Sequence, residues 1–390
     1  MIVLIVIEGE IATTALIEQV VGACRKHDIS YRKCFLWDLK SDDFLNCDLP
    51  LFVRCGDPLA MAWAKALRRA GRPYAYYIDD NFWAISGDGL LAAYYRHPAV
   101  RRSIEFLASQ AAVVITNSIE LARTVGRFNS SVSVLPSFFD FSLVEGNESH
   151  CHHAVDEVRI GFAGSPSRAP DLEIVKPIIG ELLRDYPNVA FEFIGAAPSG
   201  VVAIDRVRIF PHLLDYKSYV RFQLDRAWSI GLAPLVDNEA NRAKTDNKYR
   251  EYGAFGYAGI YSAIPPYIGV VADGVTGTLV DDRPSSWSAA LRRLIENSEV
   301  RTSIACAAFK DVRERYEVSR VAEDWARLFR ALVHQAPASK AAVQIGRERH
   351  EALFDRYRLH VEIIRQQGGW SLVIYRVARK ALRALARLFV

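Results

Sequence analysis

The chain has 390 residues, 51% hydrophobic and 24% charged, with a formal net charge of +4. This length and balance exclude a disordered or fibrous chain and leave room for two domains, each with its own core. Residues 1–150 hold 15 Lys/Arg against 17 Asp/Glu, whereas residues 331–390 hold 11 against 4. The basic excess therefore belongs to the C-terminal tail, and the charge balance of the body gives little support to nucleic-acid binding.

The opening MIVLIVIEGE lacks the basic start and cleavage site of a signal peptide. It meets Glu8 and Glu10 too early for a membrane span, so it reads as a buried first strand. Helical spacing follows over 13–25, the apolar run LFV over 51–53, a second helix over 59–70 closed by Gly71, then the strands YAYYI (74–78) and AVVIT (112–116). Continuous apolar strands separated by amphipathic helices predict βαβ units and a parallel sheet. The loops at Gly9, Gly56, Asp79 and Asn117 are then expected on one edge. None of the six cysteines forms a C-x-x-C pair, so a disulfide framework is not expected and a reducing cytoplasm fits.

FSLVEGNESHCHHAVDE (141–157) is polar and aperiodic and reads as a boundary. His150, Cys151, His152 and His153 within it are too close together to share one tetrahedral metal site. A second α/β series follows: VRIGFAG, a helix around 172–186, AFEFIG (190–195), RVRIF (206–210), a helix over 216–225, WSIGLAP (228–234) and AGIYS (258–262). Helical patterns fill 286–334, and HQAPASKAA reads as a linker. On a helical wheel, Arg376, Arg379, Lys380, Arg383 and Arg387 of the tail share one arc of about 100°, opposite Trp370, Ile374, Val377 and Leu385. That pattern fits an interfacial helix on an anionic membrane, the alternative being a terminal helix docked on the protein itself.

Three stretches carry candidate chemistry. GFAGSPSRAPDL (161–172) places Gly164, Ser165 and Arg168 where strand meets helix, so backbone N–H groups and a guanidinium could meet a phosphate, although strand-to-helix turns often hold Gly and Ser for geometry alone. NRAKTDNKYREYGAFG (241–256), taken as one helix, puts Asn241, Lys244, Lys248, Glu251 and Phe255 within an arc of about 80°. The lysines suit a diphosphate and Glu251 the two hydroxyls of a ribose, whereas spacing alone equally fits a solvated ion pair. Asp79 and Asp80 end a strand where a carboxylate could act as a base, and Asp-Asp-Asn is also ordinary turn chemistry.

Together GFAGSPSRAPDLEIV, AFEFIG, NRAKTDNKYREYGAFGYAGIYS, PPY and DGVTGTLVDD resemble the donor-binding half of GT-B glycosyltransferases, in particular the family-4-like group. The resemblance implies an α/β chain of two Rossmann-like domains facing a cleft, and the helical C-terminal tail read above lies outside it. The bounds are 1–145 on the acceptor side, a linker at 146–157, 158–334 on the donor side, a linker at 335–345, and a basic amphipathic tail at 346–390. It implies transfer of a hexose or deoxyhexose from a nucleotide-sugar to a glycan or lipid-linked acceptor, in surface polysaccharide synthesis (lipopolysaccharide, capsule or exopolysaccharide) at the inner face of the cell membrane.

Carried over by position, Glu251 would bind the ribose, Gly164 and Ser165 the pyrophosphate, Phe210 and His212 the base, and Pro266 and Tyr267 the sugar. Lys244, Lys248 and Arg168 would stabilise the leaving diphosphate. Outside the carried-over positions, the strand-end reading gives Gly9, Glu10 and Asp79 as acceptor contacts with Asp80 a candidate base, and the helical wheel gives membrane contacts from Trp370 and the five tail cations. No cofactor beyond the co-substrate, no metal and no nucleic acid are implied. Ala243 stands where the first glutamate of the E-x7-E motif belongs. That departure leaves sugar and stereochemistry open and admits a catalytically silent nucleotide-sugar-binding module. An oxidoreductase is disfavoured because no strand is followed by G-x-G-x-x-G.

Overall fold

The computed structural model describes all residues except 86, 88, 147–156, 336–340 and 387–390, and from residue 367 onward only the backbone of the last helix. His150, Cys151, His152, His153 and Arg387 thus lie outside the described residues, as do the side chains of Trp370, Arg376, Arg379, Lys380 and Arg383. The chain forms two compact units, one of Met1–Thr116, Leu121–Val134 and Ala326–Val390, the other of Asn117–Glu120 and Leu135–Trp325.

The first unit holds β1 (Ile2–Ile7), β2 (Ser30–Phe35), β3 (Leu49–Val53), β4 (Ala75–Tyr77), β5 (Val113–Thr116) and β6 (Val132–Val134), in the order β2-β1-β3-β4-β5-β6. Every pairing is parallel. The apolar runs of the sequence are the central strands, and their side chains are almost wholly buried. SYRKCF was not expected as a strand, since β2 is an edge with mostly exposed polar side chains, a blunted edge rather than an apolar run.

The second unit repeats the design with β7 (Val158–Ala163), β8 (Val189–Ile194), β9 (Val207–Phe210), β10 (Ile230–Ala233), β11 (Ala258–Ser262) and β12 (Thr278–Val280), in the order β12-β11-β10-β7-β8-β9. Its pairings are also all parallel. Each sheet has a point where strand order reverses, between β1 and β3 in the first and between β7 and β10 in the second. The loops leaving those strands diverge there and open a crevice at the C-terminal edge, the usual ligand position in open α/β sheets.

The units do not divide where composition changes. The first break falls after Val134 rather than at 145, because Phe139, Phe141 and Val144 pack into the second core beside Phe255, Val312 and Tyr316. At the other end the second unit stops at Trp325 rather than 334. Arg330 donates to the His27 carbonyl at 2.6 Å, which ties that helix end to the first unit.

The final helix, Arg347–Ala386, is one element of 40 residues, not a detached tail. Its first half docks on the first unit: Arg356 meets Asp57 at 3.1 Å, Glu362 meets His97 at 2.9 Å, and Glu348 pairs with Arg69. Val343, Ala352 and Leu359 are buried. Among the described residues, no helix is long and apolar enough to cross a membrane.

Candidate functional site

On the second unit the turn after β7 meets the turns after β8 and β9. Gly195 has φ +79°, and a Cβ there would lie 2.2 Å from the Gly164 carbonyl oxygen and 3.1 Å from His212 Cδ2, so only glycine lets these three loops close up. The Gly164 N–H donates to the Ile194 carbonyl at 3.0 Å. It is spent on the sheet edge, which corrects the expectation that this amide meets a phosphate. Ser165 is half-buried and its hydroxyl lies 2.8 Å from that of the exposed Ser167. The helix expected after this turn is preceded by a 3-10 stretch, Pro166–Ile174.

Arg168 is fixed from two sides. It donates to Asp171 at 2.7 Å and to the Asn241 side-chain oxygen at 3.1 Å. Asp171, buried, also accepts the Val236 N–H at 2.9 Å and the Asn241 amide at 3.3 Å, so one carboxylate binds the loop after β10 to the turn after β7. Asp171 was not singled out in the sequence, and the closure of this cluster through Asn241, seventy residues on, has no local signal there.

The stretch 241–256 is not one helix. Glu239–Arg242 and Asn247–Phe255 are separate, with Ala243 to Asp246 a turn between them. Lys244 lies on that turn, half-buried, outside the arc that a continuous helix would give. Ala243 is buried, 2% exposed, so the position of the absent glutamate faces the protein interior. Lys248 and Glu251 do share a face, and theirs is no solvated pair. The ammonium lies 2.6 Å from Glu251 Oε2, with side-chain exposures of 16% and 2%.

Tyr219 completes a triad, accepting from Lys248 at 3.0 Å and donating to Glu251 Oε2 at 3.1 Å, while Asn247 donates to Oε1 at 3.0 Å. Three of the carboxylate's four acceptor positions are thereby filled. Tyr216 adds a further side-chain hydrogen bond to Glu251, so the carboxylate is committed within the unit and a ribose diol would have to displace some of these donors.

Three other carried-over residues pack within the second unit. Tyr267 is in the core, 4.9 Å from the Tyr261 ring and buried, and Pro266 beside it is also buried. The Phe210 ring packs on Phe222 at 5.2 Å and under the Arg226 guanidinium at 5.3 Å. His212, by contrast, is exposed at the loop edge.

On the first unit Asp79 accepts from Thr13 at 2.6 Å and pairs with Arg54, which also meets Asp80 at 3.0 Å. Burial pushes the Asp79 carboxyl above its ordinary range, against the pull of Arg54. Asp80 is thus one half of an ion pair, with its side chain 38% exposed. Glu10 is exposed and pairs with Lys33 at 2.8 Å. Gly9 stands in open space, with nothing within 4 Å of where its Cβ would be.

The group that sequence reasoning passed over is Glu8, at the end of β1. Its Oε1 accepts the N–H groups of Gly56 at 2.7 Å and Asp57 at 2.6 Å, and Tyr94 donates to Oε2 at 2.9 Å. Burial first, and then the neighbouring Asp57 carboxylate, push its pKa up to about 7. The available signal was an acidic residue directly ending an all-apolar strand. Among the described residues, no group of three or more His, Cys, Asp and Glu is disposed to hold a metal ion.

No family model and no curated protein matches this sequence. Solved structures do match it in shape. Anabaena Alr3699/HepE, solved in complex with UDP, is similar with a TM-score of 0.62 at 15% identity, over 85% of this chain and 100% of that one. A glycosyltransferase from Rickettsia africae gives 0.57 at 10% identity over 85% and 98%, and sucrose-phosphate synthase from Thermosynechococcus elongatus 0.56 at 11% over 86% and 99%. The chain has the GT-B fold. The two parallel sheets are its two Rossmann-like domains, as the motifs implied.

Proposed function

We propose that this GT-B chain is a metal-independent glycosyltransferase that moves a hexose or deoxyhexose from a nucleotide-sugar to a glycan or lipid-linked acceptor in surface polysaccharide synthesis. The observation that carries the reading is the second unit's switch point. There a clasped guanidinium, Arg168, lies beside the open turn at Ser165 and the exposed His212. A fixed cation at a sheet's carboxyl edge suits a diphosphate, whose charge grows as the anomeric bond breaks. Structures of the similar HepE with UDP and with UDP-glucose make those two compounds the first probes.

In this reading Lys244 supports the leaving diphosphate, and Glu251 takes a ribose hydroxyl by exchanging one of its present donors. Calorimetry with UDP and UDP release from UDP-glucose test it. Lys244→Ala should lower turnover at least tenfold more than donor affinity if the lysine acts mainly in the transition state. Equal losses, or none, would sink that role.

One observation favours a second reading, a catalytically silent nucleotide-sugar-binding module. Ala243 is buried, and Lys248 is already committed to Glu251. Nucleotide binding without release of nucleoside diphosphate across a donor panel would establish it.

We also propose that the distal half of the last helix lies on the anionic inner face of the cell membrane. Its docked first half is part of the fold, so truncation near residue 336 would strip a packed helix from the first unit. The sound comparison is full-length protein with Arg376, Arg379, Lys380, Arg383 and Arg387 all changed to Gln. Loss of co-sedimentation with phosphatidylserine vesicles is expected, at about 1 kcal/mol per cation. Undiminished binding would rule out the contact.

A further inference from the structure

The last helix, Arg347–Ala386, buries one face and carries an apolar row on the opposite one. Ala352 and Leu359 are buried on the first unit, and Asp355, Arg356 and Glu362 beside them face Arg102, Asp57 and His97. On the far side Phe354 and Tyr357 are 62% and 57% exposed, and Val361 and Ile364 continue the row half-buried. Their spacing is three, four, three. The sequence keeps that alternation as far as Leu385, and every member is apolar except Gly368 and Ser371, which are small. The row is a heptad seam of more than four repeats, with Phe354 at position a and Tyr357 at position d.

The period says what covers it. On a straight helix a row repeating every 3.5 residues drifts by about 20° per heptad, so over this length it would turn through about 80° and leave a flat bilayer. It stays in contact only with another helix that supercoils around it. Charge agrees, because residues 350–366 hold three arginines and three carboxylates and gain no net attraction to an anionic surface. None of the five tail cations falls at a or d, so the seam leaves them out.

We propose that this outward face is a dimer seam, covered by the same face of a second copy of the chain, with the two helices parallel and in register. Such a face is its own complement about a two-fold axis. In a parallel pair position e of one helix meets position g of the other, which sets Arg358 against Leu353 and Arg365 against His360. An antiparallel pair sets e against e, and that row holds Arg358, Arg365 and Arg379. Like charges then oppose the pairing. Parallel helices also send both C-terminal ends the same way. The seam depends on neither the transferase reading nor the membrane contact.

The test uses the full-length chain. Sedimentation equilibrium at about 20 µM should give twice the 43.8 kDa of one chain. Phe354→Glu combined with Tyr357→Glu sets carboxylates against one another across the seam and should raise the dimer dissociation constant at least 100-fold. Both side chains are exposed, so far-ultraviolet circular dichroism of the variant should match wild type. Tyr357→Cys reads the register without adding charge. Position d meets d in a parallel pair, so mild oxidation should give a cross-linked dimer that wild type does not form.

A monomer at that concentration overturns the proposal, and so does a dimer that the double variant leaves intact. If the chain is monomeric and the double variant loses binding to phosphatidylserine vesicles, the face belongs to lipid instead. A dimer in which Tyr357→Cys gives no cross-link overturns the parallel register.

Discussion

Each sheet is parted at a switch point, and in each a carboxylate closes the gap by accepting backbone N–H groups from the opposite loop. Asp171 does so for the Val236 amide, and Glu8 for those of Gly56 and Asp57. Their surroundings are opposite. Asp171 has the Arg168 guanidinium at 2.7 Å, whereas Glu8 has a second carboxylate, Asp57, as its charged neighbour. One topology thus yields an edge that presents a held cation and another that holds a carboxyl pushed up by burial and by a like-charged neighbour. The backbone supplies the crevice, and the neighbouring side chain decides which chemistry it suits.

The comparison breaks most visibly at Asp171. Asp171→Ala leaves the Val236 N–H, the Asn241 amide and the Arg168 guanidinium without their acceptor. We expect a loss of about 3–5 kcal/mol in urea unfolding and weaker UDP binding. A loss below about 1 kcal/mol would mean that Asp171 is not what fixes Arg168.

At Glu8 the expected signature is a slope with pH. Its folded pKa of about 7 exceeds the ordinary 4.5, so the folded state holds the proton more tightly. Stability from this group is therefore full below pH 4.5 and falls as pH rises to about 7, by at most about 3 kcal/mol for a partly open site. Glu8→Gln removes the slope, so the variant should gain on wild type steadily between those limits in unfolding measured at pH 5, 6, 7 and 8. Parallel curves would refute the raised value.

A smaller effect is expected within the Lys248 triad. Tyr219→Phe removes one donor to Glu251 and one acceptor for Lys248 while their direct contact at 2.6 Å remains. The cost should be about 1–2 kcal/mol in thermal or urea unfolding. A neutral outcome would show that water replaces the hydroxyl.

What the sequence disclosed follows from range. Apolar runs and turn chemistry are local, so the central strands, Gly71 and the helix Tyr216–Asp225 were legible within a residue or two. The short or polar edges β2, β6 and β12 carry too little apolar signal and were not. Glu251 and Lys248 were legible as a pair, but their burial was not, because Tyr219 joins them across thirty-two residues. The stretch from Asn241 read as one helix because its spacing is helical, yet Thr245 and Asp246 compete for backbone bonds and favour a turn there. Glu8 escaped notice because an acidic residue ending an apolar strand is a weak signal without its partners, which are remote in sequence. Its partners come from residues 56, 57 and 94.

The finest adjustment lies in what surrounds Glu8, and two variants should move its midpoint in opposite directions. Tyr94 donates to Oε2 and so favours the charged form. Tyr94→Phe should raise the midpoint, by about half a unit for a hydrogen bond contributing about 1 kcal/mol. Asp57 opposes the charged form. Asp57→Asn keeps a side-chain oxygen for the Leu59 N–H at the head of its helix but discards the charge, and should lower the midpoint by a similar amount. Infrared titration of the Glu8 carboxyl reads both. Shifts of the same sign would mean that altered burial, rather than the hydroxyl and the carboxylate, governs this proton, since lost packing would change desolvation in both variants alike.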